Sequence, residues 1–457
     1  MPWFFMVIFY YFRTLKSHLA DTMKYDSIDK QLFIQNRKRF TGRMKPNHIA
    51  VFLSNDEVPR SADAHYLWRQ NPDLFYLTGI DQEQTILLLY PDSPNPKQRE
   101  ILFLRKTSET IAIWEGHKYT KEEGKSASGI ENIVWIESFE QTLHLLLTYA
   151  EGIYLNMNDH DRAFTDVPSH EHRFALDMKS KYPLHKIERS APIMHHLRSI
   201  KSHWEVELMR NACTITEKAF RRLLGFVKPG VWEYEIEAEI THEFLRNRAT
   251  GHAYHPIIAS GASACVLHYI ENNKQCNNGD VILMDFGSEY ANYNSDLTRC
   301  IPVNGKFTPR QKDVYNAVLG VMKYATSMLV PGTTYEDYLK EVGLAMEQEL
   351  IKLGLLNAAD VKNQSPDNPL YKKYFMHGTS HYLGLDVHDV GYRYARFEAG
   401  MVFTCEPGIY IPEEGIGIRL ENNILITETG NVDLMATIPL EAEEIESLMA
   451  QSTKSLI

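Results

Sequence analysis

Four carboxylates stand where a solvated charge has no reason to be. Asp285 ends the apolar run of VILMDFG (281–287), and Asp296 follows eleven residues later in YNSDLTR (293–299). Glu406 interrupts MVFTCEPGIYI (401–411), and Glu421 lies within GIGIRLENNILIT (415–427). A buried carboxylate without a partner costs several kcal/mol or takes up a proton. For any one of them, a wet strand edge or a neighbouring Arg or Lys is explanation enough. Four together, with the histidine-rich segment FMHGTSHYLGLDVHDVG (375–391) between them, point to a shared cation site. Two divalent ions neutralise four carboxylates, and one neutral imidazole completes an oxygen-rich donor set. Such a set favours Mn2+ or Mg2+, although Zn2+ or Co2+ also fits because occupancy follows availability.

The segment 375–391 offers His377, His381 and His388. Its HxxxH spacing lacks the glutamate that follows the first histidine in zinc-protease helices, and Gly378 stands there instead. Gly378 and Gly384 argue against a long helix. The reading is a loop that delivers one imidazole, then a strand with Asp386 and His388 on one face. His268, in ACVLHYIEN, precedes Asp285 by seventeen residues and can reach the same pocket. By strand alternation Ile416, Ile418 and Leu420 share one face, and Arg419 and Glu421 share the other.

These residues need strands to carry them and helices to cover those strands. Strands are predicted over 280–287, 293–303, 382–390, 401–411 and 416–427, the first two paired as a hairpin through SEYANYN. Ser202 and Glu205 form a capping box for a helix carrying Trp204, Leu208, Ala212, Ile215, Ala219 and Leu223 at helical spacing. Further helices are predicted over 233–249, from Thr308-Pro309 to before Pro331, and from Thr334 to Leu356. This is an α+β domain spanning 198–457. Before it, HIAVFLS (48–54), TILLLYP (85–91), REILFLR (99–105) and GIYLNM (152–157) read as buried strands, with helices over 26–43 and 138–150. They give an α/β domain over 24–197. The segment 158–198, polar and broken by Pro168, Pro183 and Pro192, leads to the boundary.

The 457 residues exceed one ordinary core, in line with two domains. A net charge of −11 without a basic stripe excludes a nucleic-acid partner. The five cysteines, odd in number and without a CxxC pair, indicate a reducing compartment, the cytoplasm. MPWFFMVIFYYF (1–12) is too short to span a bilayer and lacks a basic n-region, so 1–23 is read as an extension and no membrane association is expected.

Taken in order, HPIIASGASACVLHYIEN, VILMDFGSEYANYNSDLTR, HGTSHYLGLDVHDVG, EPGIYI and GIGIRLENNILIT resemble the pita-bread metallopeptidases, and within them the aminopeptidase P (Xaa-Pro aminopeptidase) family. The resemblance covers nearly all of 24–450, including YLWRQNPDLFYLTG (66–79) and IWEGHKYT (113–120). It implies a pita-bread catalytic domain behind an α/β amino-terminal domain. It also implies hydrolysis of the bond between a first residue and a following proline, by a metal-bridged hydroxide. The ligands it implies are Asp285, Asp296, His381, Glu406 and Glu421, with Asp296 and Glu421 bridging two metals. Glu406 would also shuttle the proton to the leaving nitrogen. His268 and His388 would contact the substrate and stabilise the tetrahedral intermediate. His377 would be a pocket residue, Tyr410 and Arg419 would stand on the proline side, and Tyr254 near the metals. Trp114 would cap the site of a neighbouring subunit in a dimer or tetramer. Asn422-Asn423 and Thr379-Ser380 depart from the family pattern (Asp-Asp and Leu-Ser) and are expected to touch no ligand. A prolidase acting on Xaa-Pro dipeptides shares the same site, and a non-catalytic binding scaffold is the reading from another class.

Overall fold

A computed structural model describes residues 24–163 and 165–454; the extension read over 1–23 lies outside the described residues. The chain divides into two compact units that meet between Arg198 and Ser199.

The first unit is built on a mixed six-stranded sheet of β1 (His48–Leu53), β2 (Ile86–Leu89), β3 (Glu100–Leu104), β4 (Asn132–Trp135), β5 (Gly152–Leu155) and β6 (Lys186–Arg189). The order is β4-β3-β2-β1-β5-β6. The β1, β2 and β5 strands are buried along their length, as continuous apolar runs require. Ile49, Val51, Leu88 and Phe103 pack in one core with Leu143 and Leu146 of α1 (Phe139–Leu147) and Met178 of α2 (His170–Lys181). Sequence reading missed β4, β6 and α2. Lys186–Arg189 has a mostly polar strand pattern at the sheet edge, and the prolines of 158–198 fall between elements rather than abolishing them.

In the second unit, α3 (His203–Phe226) begins where predicted. The Ser202 N–H donates to Glu205 Oε2 at 2.8 Å, and Ser202 Oγ accepts from the Glu205 N–H. It packs against α4 (Glu233–Arg246), while α5 (Pro309–Met328), capped by Thr308, packs against α6 (Tyr335–Lys352).

The strands are two long antiparallel hairpins, each broken in the middle. The first runs from β7 (Val281–Asp285) into β8 (Ser288–Tyr290), turns at Ala291-Asn292, and returns through β9 (Tyr293–Asn294) to β10 (Thr298–Pro302). Ala291 and Asn292 have φ of 52° and 65°, the left-handed pair that tight hairpin turns require. Asp285 pairs with Thr298 and Glu289 with Asn294, and between them the Phe286 N–H donates to the Leu297 carbonyl at 3.0 Å and the Ser295 N–H to the Ser288 carbonyl at 3.1 Å. The second hairpin comprises β11 (Val402–Cys405), β12 (Gly408–Ile411), β13 (Ile416–Arg419) and β14 (Asn422–Ile426). Cys405 pairs with Asn422 and Gly408 with Arg419, so Glu406-Pro407 faces Leu420-Glu421 across the gap. The predicted unbroken strands 293–303, 401–411 and 416–427 are therefore each two strands. The predicted strand 382–390 is not one: it is a loop with a single bridge, Tyr382 to Phe403. Gly384 and Gly391 are each pressed against a neighbouring side chain that a Cβ would strike.

Candidate metal centre

The interruptions position the acids. Asp285 is the last residue of β7, Asp296 lies between β9 and β10, and Glu406 and Glu421 lie in the facing gaps of the second hairpin. The hairpins are stitched together at this level, because the Glu421 N–H donates to the Thr298 carbonyl at 3.1 Å. One donor atom each from Asp296, His381 and Glu421 lie within 4.8 Å of one another. His381 Nε2 is 3.5 Å from Asp296 Oδ2 and 3.6 Å from Glu406 Oε1. Asp285 joins through Tyr254, whose hydroxyl donates to Asp285 Oδ1 at 2.6 Å and also to Asp296 Oδ1. Asp285, Asp296 and Glu421 are buried, and His381 and Glu406 are partly so.

His381 is held in one tautomer. Its Nδ1 lies 2.9 Å from the Tyr382 carbonyl, which can only accept, so Nδ1 carries the proton and Nε2 faces the acids. A carbonyl behind a histidine that aims its other nitrogen at acids is the usual support of a metal-ligating imidazole. Separations of 3.5 and 3.6 Å are long for hydrogen bonds and natural for ligands around one ion.

The electrostatics agree. Burial, reinforced by Asp296, Glu406 and Asp285, pushes Glu421 well above the ordinary carboxylate range. Burial pushes Glu406 up to about 7 against the pull of His381 and Arg419. Asp285 is raised by burial too, despite Arg419 Nη2 lying 2.5 Å from its Oδ2. One guanidinium does not balance four clustered acids, three of them buried. The donor set, four carboxylates and one oriented imidazole, fits two divalent cations.

A polar wall stands beside the acids. Arg419 donates from Nη1 to Tyr410 Oη at 2.8 Å and from Nε to Thr298 Oγ1 at 3.1 Å. Tyr410 Oη is also 2.8 Å from His377 Nε2, and His377 Nδ1 is 3.8 Å from Glu406 Oε2. Burial holds His377 down at about 4, with the charges of Arg419 and His268 acting in the same direction, so His268 is a near neighbour. The His388 ring lies edge-on to His381 with centroids 4.5 Å apart. His268 and His388 are both exposed. The structure thus brings together every residue singled out in the sequence except Trp114, which belongs to the first unit and is 83 % exposed there.

Three contributors escaped the sequence reading. Thr298 Oγ1 donates to Glu421 Oε2 at 2.7 Å while receiving Arg419 Nε. Asn423, expected to touch no ligand, accepts the Asp296 N–H at 3.1 Å and donates to the Asp296 carbonyl at 2.6 Å. Arg299, fully buried, donates to the Glu421 carbonyl at 2.7 Å and to Asn422 Oδ1 at 2.7 Å. The available signal was ENN itself, since two amides beside a buried acid can both accept and donate.

Comparison with known proteins gives this geometry a family. Residues 207–428 match metallopeptidase family M24, and residues 33–154 match the aminopeptidase P N-terminal domain. The chain is 37 % identical to Xaa-Pro aminopeptidase of Escherichia coli, covering 93 % of this chain and 99 % of that one. It is 30 % identical to human Xaa-Pro aminopeptidase 3, covering 91 % and 84 % respectively. The structure of E. coli aminopeptidase P with the inhibitor Pro-Leu superposes with a TM-score of 0.83 at 34 % identity, over 94 % of this chain and all of that one. The chain belongs to the aminopeptidase P branch of metallopeptidase family M24, with an α/β amino-terminal domain ahead of a pita-bread catalytic domain.

Proposed function

We propose that this protein removes the first residue from peptides that carry proline in second position, with two divalent cations, Mn2+ by preference, held by Asp285, Asp296, His381, Glu406 and Glu421. The observation that carries the reading is the convergence of Asp296, Glu406 and Glu421 on a histidine whose Nδ1 is held by the Tyr382 carbonyl, with Asp285 joined to Asp296 through Tyr254. Bound divalent cations supply Lewis acidity and make a water-derived nucleophile available at neutral pH.

The chain's own groups supply the rest. Glu406 is only partly buried and lies 3.8 Å from His377 Nδ1, at the border between the acids and the polar wall. We assign it the transfer of a proton to the proline nitrogen, a tertiary amide nitrogen that must be protonated as the bond breaks. His388 presents an exposed imidazole against His381, and His268 an exposed one within electrostatic range of His377; we assign both to donate to the carbonyl oxygen as negative charge develops there. Arg419, Tyr410 and His377 form the wall against which the proline side rests, and Tyr254 orients Asp285 and Asp296. Trp114 sits on a seven-residue helix, Glu109–Glu115, with no buried side chain. Such a residue suits a partner surface, and we assign it to capping the site of a neighbouring copy in a dimer or tetramer. The five free cysteines fit a cytoplasmic setting, and among the described residues no helix is long and apolar enough to cross a membrane.

The test is hydrolysis of Xaa-Pro-Xaa tripeptides beside Xaa-Pro dipeptides, using chelated protein reconstituted with Mn2+. Metal-dependent release of the first residue from tripeptides is expected. Activity on dipeptides alone would make the protein a prolidase, and metal-dependent cleavage of neither would leave a binding scaffold.

A further inference from the structure

A buried ion pair lies behind the histidine loop, and none of the roles above uses it. Lys201 Nζ is 3.1 Å from Asp389 Oδ2, and each side chain is 1 % exposed. Lys201 immediately precedes the cap of α3, and its N–H donates to the Gly400 carbonyl at 2.8 Å, so its own backbone is fixed. Asp389 immediately follows His388. A fully buried ion pair seldom improves on an apolar pair of the same volume, because desolvation offsets the attraction. Stability alone is therefore a weak reason for its presence, and what the pair holds in register is the stronger one.

Asp389 closes the loop. Its N–H donates to the Tyr382 carbonyl at 2.9 Å, and its Oδ1 accepts the Val390 N–H at 2.9 Å. The Tyr382 carbonyl is the acceptor that also receives His381 Nδ1 at 2.9 Å. One oxygen therefore both closes the 382–389 loop and sets the orientation of His381. The loop is pressed against the pair: a Cβ on Gly384 would lie 2.2 Å from Asp389 Oδ2 and 2.9 Å from Lys201 Cε. From the other side Asn294 grips the same stretch, its N–H and Nδ2 donating to the Gly384 carbonyl at 2.9 and 3.0 Å.

We propose that Lys201 is a positioning residue: through Asp389 it fixes the Tyr382 carbonyl that orients His381 and the backbone that presents His388. This rests on the reading of His381 as a metal ligand and His388 as a donor to substrate. It predicts that the pair matters to metal binding and turnover beyond whatever it adds to stability.

The experiment compares the wild-type chain with K201M and K201M/D389N. The readouts are thermal denaturation, Mn2+ titration of chelated protein by calorimetry, and kcat and KM on an Xaa-Pro-Xaa tripeptide. K201M alone strands a buried carboxylate, so a failure to fold there is decided by the double variant, which keeps volume and leaves no charge uncompensated. The double variant is expected to fold with a midpoint near wild type and bind Mn2+ about tenfold or more weakly. Its kcat should fall about 10- to 100-fold with KM within about threefold. A double variant with wild-type affinity and kcat would overturn the proposal, as would one that no longer folds, which would make the pair a support of the fold. Should the wild-type chain bind Mn2+ yet cleave no Xaa-Pro peptide, the substrate reading fails while the affinity comparison still decides this one.

Discussion

Replacing Glu421 by glutamine should change the sign of its effect on stability when metal is added. Donor atoms of Glu421 and Asp296 lie within 4.8 Å, and their residues are 2 % and 5 % exposed. Two unit charges at that separation repel by about 3 kcal/mol at an effective dielectric near 20. Without a cation, the folded chain bears this repulsion or takes up a proton to escape it, and either route lowers stability at neutral to alkaline pH. Glutamine is isosteric, can still accept from Thr298 Oγ1, and turns a donor toward Asp296. In EDTA, E421Q should therefore be more stable than wild type by about 2 kcal/mol, part of the full repulsion being already relieved by protonation. For a unit of this size that is a rise of roughly 4–8 °C in denaturation midpoint. Saturating Mn2+ should reverse the order. At one hundred times its dissociation constant a ligand adds about 2.7 kcal/mol to wild type, and a variant lacking one of the proposed carboxylate ligands gains little of it. The assay is thermal denaturation of both proteins at pH 8, with EDTA and with Mn2+. If E421Q were less stable than wild type in EDTA, the carboxylate would be satisfied by protein groups alone and the charge argument for a cation site would fail.

Two further outcomes follow from neighbouring and remote contacts. N423A removes the side chain that pairs with both the N–H and the carbonyl of buried Asp296, so it should lower stability by about 2–4 kcal/mol and weaken Mn2+ binding about 10- to 100-fold; calorimetry with unchanged affinity would show that Asp296 is aimed by something else. In the first unit, burial pushes Glu171 up to about 7 even though Asn71 and Asn156 donate to it at 3.0 and 2.7 Å. A folded-state pKa above the unfolded one means stability that is complete below about 4.5 and lost as pH rises through about 7. E171Q should remove that loss and be more stable than wild type at pH 8 by up to about 3 kcal/mol, with little or no advantage at pH 5. Urea midpoints that keep the wild-type pH dependence in E171Q would refute this.

How much was legible in the sequence depended on the range over which each signal is written. The start of α3 is set by Ser202 and Glu205, three residues apart, and it was read correctly because both partners lie in one turn. Thr308-Pro309 is the same case for α5. The buried central strands β1, β2 and β5 announce themselves by composition, whereas Lys186–Arg189, half wet at the sheet edge, does not. The acids were found because a charge in an apolar run is a local contradiction. Their supports were not, because Asn423 acts on a residue 127 positions away and Arg299 on one 122 positions away.

The ladder explains why local contradiction and distant support belong together. With Asp285 opposite Thr298 and Glu289 opposite Asn294, Asp296 stands across from Gly287, between the bonds from the Phe286 N–H to the Leu297 carbonyl and from the Ser295 N–H to the Ser288 carbonyl, so its own N–H and carbonyl face away from the partner strand. Backbone groups that face away from a ladder must find other partners when buried. They find them on the other hairpin. The Asp296 N–H and carbonyl go to Asn423, the Glu421 N–H goes to the Thr298 carbonyl, and the Glu421 carbonyl goes to Arg299. The Glu406 N–H goes to the Thr379 carbonyl, in the segment that leads to His381. The outward backbone groups of each acid are thus met by an element that carries or braces another donor. The metal centre and the joint between the hairpins are therefore one structure, so substitutions at Asn423, Thr298 or Arg299 should register in metal affinity and in stability together.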